Sequence, residues 1–224
     1  AGGTGTLYID KSDDNYGIGE SLTFHADAEN NIAIGANAFN DTTGNADDNI
    51  AIGNDALTAL TAGSNNTVVG VGALKTADTG ETNNVAIGHS AMQLADENGN
   101  QIDNNIAIGT DALKGGVLGS GAVLGNIAIG YQALKTTGVN PQTGTIAIGS
   151  SALAALTSGA GNTAVGYQAL TALTTGSQNV VMGYGAFDAA NASESYNTAI
   201  GEGAMGSVDE GENAGTDTVA ADGN

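Results

Sequence analysis

The chain has 224 residues, of which 36 are glycine and only 4% aromatic, so the large side chains that fill a compact globular core are scarce. Against 24 acidic residues stand four lysines and no arginine, a formal net charge of −20; nucleic-acid backbones are excluded as partners, because phosphate contacts need basic side chains, and a self-repelling surface screened by salt or divalent cations is expected. With no cysteine there is neither a disulfide framework nor a thiolate site, and no apolar run approaches the roughly 20 residues of a membrane span, so no membrane insertion by this segment is expected.

The start, "AGGTGTLYID", lacks the basic and apolar regions of a signal peptide, and any export address is expected outside this chain. Residues 1–14 read as a glycine-rich leader or junction. "NYGIGESLTF", Asn15 to Phe24, is a degenerate first copy of a unit that then recurs ten times: Asn, an apolar or threonine residue, Ala or Val, an apolar residue, Gly, two variable residues, Ala, and Leu, Met or Phe. The opening asparagines are Asn31, Asn49, Asn66, Asn84, Asn105, Asn126, Asn162, Asn179 and Asn197, with Thr145 in the place of a tenth. The glycines are Gly35, Gly53, Gly70, Gly88, Gly109, Gly130, Gly149, Gly166, Gly183 and Gly201, separated by 17 to 21 residues. The unit is constant and the connecting segment varies, so residues 15–206 form one array. Residues 207–224 are an acidic tail that reads as disordered or as a junction.

Ile127-Ala128-Ile129 and its equivalents are too short for a helix, carry β-branched residues and end at glycine, which predicts short strands closed by a bend. A second short strand is expected to carry Ala133 and Leu134. The fold class is therefore all-β, a parallel β-roll or β-solenoid of about ten coils. A left-handed hexapeptide helix fits less well, because the third side of a coil would fall in polar turns such as "TTGVNPQTG". Alternation along the strand sets Ile127 and Ile129 against Ala128. The isoleucines are expected inside the roll and the alanines on a second face, where small side chains let chains meet around a shared axis as a homotrimeric fibre. The repeated asparagine is placed to stack as a hydrogen-bonded ladder. At roughly 4.8 Å per stacked strand, ten coils make a rod about 45–50 Å long.

"NNIAIGANAF", "NNVAIGHSAM" and "NNIAIGTDAL" resemble the head repeats of YadA-like trimeric autotransporter adhesins. "NTAVGYQALTALTTGSQN" resembles, more closely, the repeat arrays of bacteriophage tail-fibre proteins, and "NYGIGESL" resembles the segments that accompany them. The resemblance covers most of the chain. It implies a trimeric β-roll shaft within a longer appendage, located on a virion or at the cell surface, with a structural role in host attachment. The alternatives are a bacterial surface adhesin or extracellular filament, and a cation- or glycan-binding module. A cell-surface glycan or protein is the implied receptor.

Candidate chemical sites are few. "GVGAL", "GYGAF" and "GEGAM" imitate a dinucleotide loop but recur inside coils and open no helix, so they read as structure. His25 and His89 are the only histidines and lie in different copies; no nucleophile constellation is present, no cofactor is implied and an enzyme is not expected. In "ADENGNQID", Asp96, Asn98 and Asn100 alternate as the oxygen ligands of a calcium loop do, but glycine sits fourth rather than sixth and no glutamate closes the loop. A solvated loop is the favoured reading there, and likewise at Asp47 and Asp48. Asp103 belongs to the same acidic surface. Tyr131, Tyr167 and Tyr184 share one repeat position, where stacked rings either support neighbouring coils or offer a platform to sugar rings.

Overall fold

The computed structural model describes residues 6–10, 15–19, 29–39, 46–76, 80–93, 95–96, 101–115, 117–118, 121–136, 142–190 and 193–206. The acidic tail, His25, Asn98 and Asn100 lie outside them. All regular structure among these residues is β. Strands β1 (Thr6–Asp10) and β2 (Asn15–Gly19) pair antiparallel, so part of the leader joins the sheet. From β2 onward that sheet is parallel. It runs through β3 (Ile32–Ile34), β4 (Ile50–Ile52), β5 (Thr67–Val69) and β6 (Val85–Ile87), passes to β9 (Ile106–Ile108), β12 (Ile127–Ile129) and β14 (Ile146–Ile148), and ends with β15 (Thr163–Val165), β16 (Val180–Met182) and β17 (Thr198–Ile200). Each repeat adds one strand in unbroken register: Ala107, Ala128, Ala147 and Ala164 lie side by side. The chain is a parallel β-solenoid.

The interior is the reverse of the expected one. The middle strand residue is the buried one in each of these ten strands, Ala33, Ala51, Ala86 and Ala128 among them with Val68 and Val181 in two coils, while the flanking isoleucines are half-buried or exposed. The reason is the asparagine. Asn126 lies two residues before Ala128, and alternation puts both on one face; Asn126 is completely buried, so Ala128 goes inside with it and Ile127 and Ile129 face out.

The expected second strand at Ala133 and Leu134 is also absent. These residues belong to a tight turn in which Gln132 (φ 56°) and Leu134 (φ 49°) are both left-handed. The Leu134 amide is nevertheless used, donating to the Ala152 carbonyl of the next coil at 2.9 Å. Supplementary parallel pairing occurs on the other side of the repeat, just before the asparagine: β8 (Ile102–Asp103), β11 (Val123–Leu124) and β13 (Gln142–Thr143) form one small sheet, and β7 (Ala95–Asp96) with β10 (Val117–Leu118) another. These belong to the longer coils, whose extra residues are absorbed by local pairing.

The left-handed turn is general. The equivalents of Leu134 in the nine other coils are Phe39, Leu57, Leu74, Met92, Leu113, Leu153, Leu170, Phe187 and Met205, and all have φ between 43° and 56°. Such a conformation costs a residue with a Cβ about 1–2 kcal/mol; burying a large apolar side chain returns about 1.5–3 kcal/mol, and these side chains are buried. Isoleucine and valine never occupy this place, because branching at Cβ makes the left-handed region a true outlier. Leu134→Ile is therefore expected to destabilise by about 1–3 kcal/mol, whereas the similarly sized Leu134→Met stays within about 1.5 kcal/mol. Denaturant midpoints of the two variants check this, and equal midpoints would remove the backbone explanation.

Candidate functional site

Two features are repeated strictly enough to be treated as sites: the internal asparagine ladder and the outer face of the main sheet. In the ladder, each side-chain oxygen accepts from the next asparagine twice. Asn105 Oδ1 receives the Asn126 backbone amide at 2.9 Å and its Nδ2 at 3.1 Å. Asn126 Nδ2 donates also to the Gln142 carbonyl at 3.0 Å, tying the strand to the segment across the coil. The same pattern links Asn31, Asn49, Asn66, Asn84 and Asn105, and Asn162, Asn179 and Asn197. The amides meet the backbone groups that would otherwise be buried unpaired.

Thr145 interrupts it. Asn126 Oδ1 still accepts the Thr145 amide at 2.9 Å, but the shorter Thr145 side chain cannot reach onward, and its Oγ1 is buried without a hydrogen-bond partner, as is Gln142 Oε1. Gln142 replaces part of the missing amide by donating from Nε2 to the Leu156 carbonyl at 2.9 Å.

The glycines that follow the strands have φ between 128° and 146°. A Cβ on Gly130 would stand 2.6 Å from the Gly149 carbonyl carbon and oxygen, and glycines of the other stacked coils face their successors in the same way. No other residue permits this approach.

Asp47 and Asp48 lie in the segment that precedes strand β4, and Asp103 ends strand β8. Asp47 Oδ1 accepts the Glu29 amide at 2.9 Å, and Asp48 Oδ1 accepts from Asn30 Nδ2 at 3.1 Å. Asp103 Oδ1 takes the Thr82 amide at 2.8 Å and its hydroxyl at 3.1 Å. These carboxylates bridge successive coils. Asp55 is held below the usual carboxylate range by a hydrogen bond from Asn37 and by Lys75, whose ammonium lies 2.9 Å away; Asp111 is lowered by Lys114 at 2.8 Å. Of the calcium triplet only Asp96 falls within the described residues, as the second residue of β7. Among the described residues no group of three or more His, Asp or Glu side chains is placed to hold a metal ion, and no helix is long and apolar enough to cross a membrane. His89 is exposed at the place that Tyr131, Tyr167 and Tyr184 hold in other coils.

The outer face of the main sheet went unrecognised in the sequence. It is built from the first and third residues of each three-residue strand and from Tyr16 and Ile18, which pair with Ile32 and Ile34, in β2. From β2 to β17 these are Tyr, Ile, Val, Thr or Met, with no charged residue among them, although the chain carries 24 acids. Tyr16, Ile18, Ile34, Ile87, Ile148, Val180, Met182 and Ile200 are each more than a third exposed. The absence of charge along this one row is the signal that could have revealed it.

No family model, curated protein or solved structure matches the chain.

Two outcomes follow. Thr145→Asn restores the ladder, giving the Asn162 amide an acceptor, and is expected to stabilise by about 1 kcal/mol, whereas Asn105→Ala orphans several buried groups at about 1–3 kcal/mol each; thermal or denaturant melts measure both. For the acids, sodium chloride and calcium at matched ionic strength should raise the melting temperature equally if screening acts. A gain at submillimolar calcium that disappears in Asp96→Ala would instead reveal a specific site.

Proposed function

We propose that the chain is a structural fibre segment, the trimeric shaft of a virion tail fibre serving host attachment, and that it has no catalytic role. The observation that carries this reading is the uncharged outer face of the main sheet. Over the eleven strands from β2 to β17, with two outward side chains in each, it amounts to roughly 1,000 Å² of largely apolar surface, well above the largest patch of about 300–600 Å² on an ordinary monomer. It also reaches the scale of about 800 Å² that each partner contributes to a stable interface.

Strict register makes the face straight and continuous, as an interface between identical rods must be. No acid holds an outward position of the main-sheet strands from β2 to β17, so three copies can meet through this face without setting those positions' carboxylates against one another. The resemblance of the repeats to tail-fibre and YadA-like arrays supplies the number three and the appendage. The corrected orientation changes which side chains meet: isoleucines and valines, not alanines, are directed at the neighbouring chains.

Sedimentation at micromolar concentration should give three times 21.8 kDa for the wild-type chain. The double variant Ile108→Asp/Ile129→Asp should sediment as a monomer while its circular dichroism stays that of a β protein, because both residues lie outside the roll. A wild-type monomer would defeat the reading, and a dimer would defeat the trimer.

A further inference from the structure

The interruption of the ladder at Thr145 leaves three polar groups in the interior of one coil. At the seven rungs where asparagine follows asparagine, the backbone amide and Nδ2 of the later residue converge on one Oδ1 at 2.9–3.2 Å. Asn162 follows threonine instead. Its Nδ2 still donates across the coil to the Gly176 carbonyl at 2.8 Å, but no described residue accepts its backbone amide. Thr145 lies beside it in the ladder, since Ile146 N donates to the Asn162 carbonyl at 2.7 Å. Thr145 and Gln142 are fully buried, and neither Thr145 Oγ1 nor Gln142 Oε1 has a hydrogen-bond partner among the described residues. Gln142 belongs to the coil before, as the ladder partner of Val123, but its side chain climbs: Nε2 donates at 2.9 Å to the carbonyl of Leu156, a residue of the Thr145 coil. That bond fixes which end of the amide is oxygen, because the flipped amide would set oxygen against oxygen. Asn126 ties the pair together, accepting the Thr145 amide on Oδ1 and donating from Nδ2 to the Gln142 carbonyl.

We propose that this coil holds one internal water molecule as its missing rung, accepting from the Asn162 amide, donating to Gln142 Oε1 and pairing with the Thr145 hydroxyl. The three groups select the ligand. The amide can only donate and Oε1 can only accept, while the hydroxyl does either. A metal ion or ammonium has nothing with which to accept from the amide, and a halide has no hydrogen for Oε1. Water has both, and three hydrogen bonds is the usual number for a buried one. Left unpaired, each group would carry its full desolvation penalty, which one ordered water removes at a smaller entropic cost. Room is made by small side chains. Threonine ends one bond short of the oxygen and nitrogen of an asparagine amide. Gly159 stacks against Gly176, the residue that faces Asn162, so it faces Thr145 in turn and brings no side chain into the coil. With the water in place the ladder runs unbroken from Asn31 to Asn197. The site is internal to one chain and needs neither the trimer nor the outer face.

A high-resolution crystal structure of the full chain tests it directly. The expected result is one density peak within about 2.7–3.2 Å of Asn162 N, Gln142 Oε1 and Thr145 Oγ1, present in every copy. In solution, oxygen-17 relaxation dispersion counts waters held long enough to tumble with the protein, and the count should fall by one per chain in Thr145→Asn, whose amide takes the water's place. Gln142→Val should fold, because Val123 holds the same place one coil earlier. It removes one of the three partners and should shorten the water's residence at least about tenfold. A direct bond between Thr145 Oγ1 and Gln142 Oε1 with no peak among the three atoms would overturn the proposal. So would an unchanged count in Thr145→Asn, or an unchanged residence time in Gln142→Val.

Discussion

The structure depends on one requirement: through the strand, the bend and the turn of each repeat, a coil must lie directly on the next at the distance of a β-ladder. In an ordinary sheet that approach is needed only along the strands. Here it continues through the bends, where Gly130 meets Gly149 backbone to backbone, and through the turns, where Leu134 N reaches Ala152 O. The left-handed residues are the cost of following such a path. They recur at fixed places because a turn that departed from its neighbours would lose hydrogen bonds to the coils above and below.

The same requirement settles what can be inside. A coil only nine repeat residues and a short connection around encloses little space, and the asparagine ladder takes part of it. Alanine is what remains compatible on the strand side, with leucine, methionine or phenylalanine projecting from the opposite turn. Large β-branched residues, favoured by strands, are displaced to the outer face. A chain with few big side chains thus folds by stacking many small, similar cores, and the surplus apolar surface becomes the outer face of the main sheet.

Much of this was legible in the residues. The period, the parallel stacking, the asparagine ladder and the need for glycine after the strand all follow from a unit that recurs in register. The phase of the strand was misread, since the alternation of Ile127, Ala128 and Ile129 is symmetric about which face is inside. The asparagine two residues before Ala128 breaks that symmetry once its burial is recognised. The turn was misread because Ala133 and Leu134 are apolar and strand-like in type, while their conformation is betrayed only by what the place excludes: isoleucine and valine. A further clue stood before the ladder, where Asn30, Asp48, Asn65, Asn83, Asn104 and Gly125 are all left-handed, residues that tolerate that region best. The tyrosine row was legible as a position, and Tyr167 and Tyr184, in adjacent coils, stack there with ring centroids 5.0 Å apart.

The parallel register has a consequence for how such a molecule changes its size. Because each coil touches only the one above and the one below, a whole unit can be gained or lost without altering any other interface: the new strand presents the same asparagine, alanine and glycine to both neighbours. Duplication within the array therefore lengthens the rod in steps of about 4.8 Å while leaving its cross-section and outer row intact. Reach becomes a quantity set by gene copy of a 17- to 21-residue unit, adjustable by recombination between near-identical segments without any coil being redesigned.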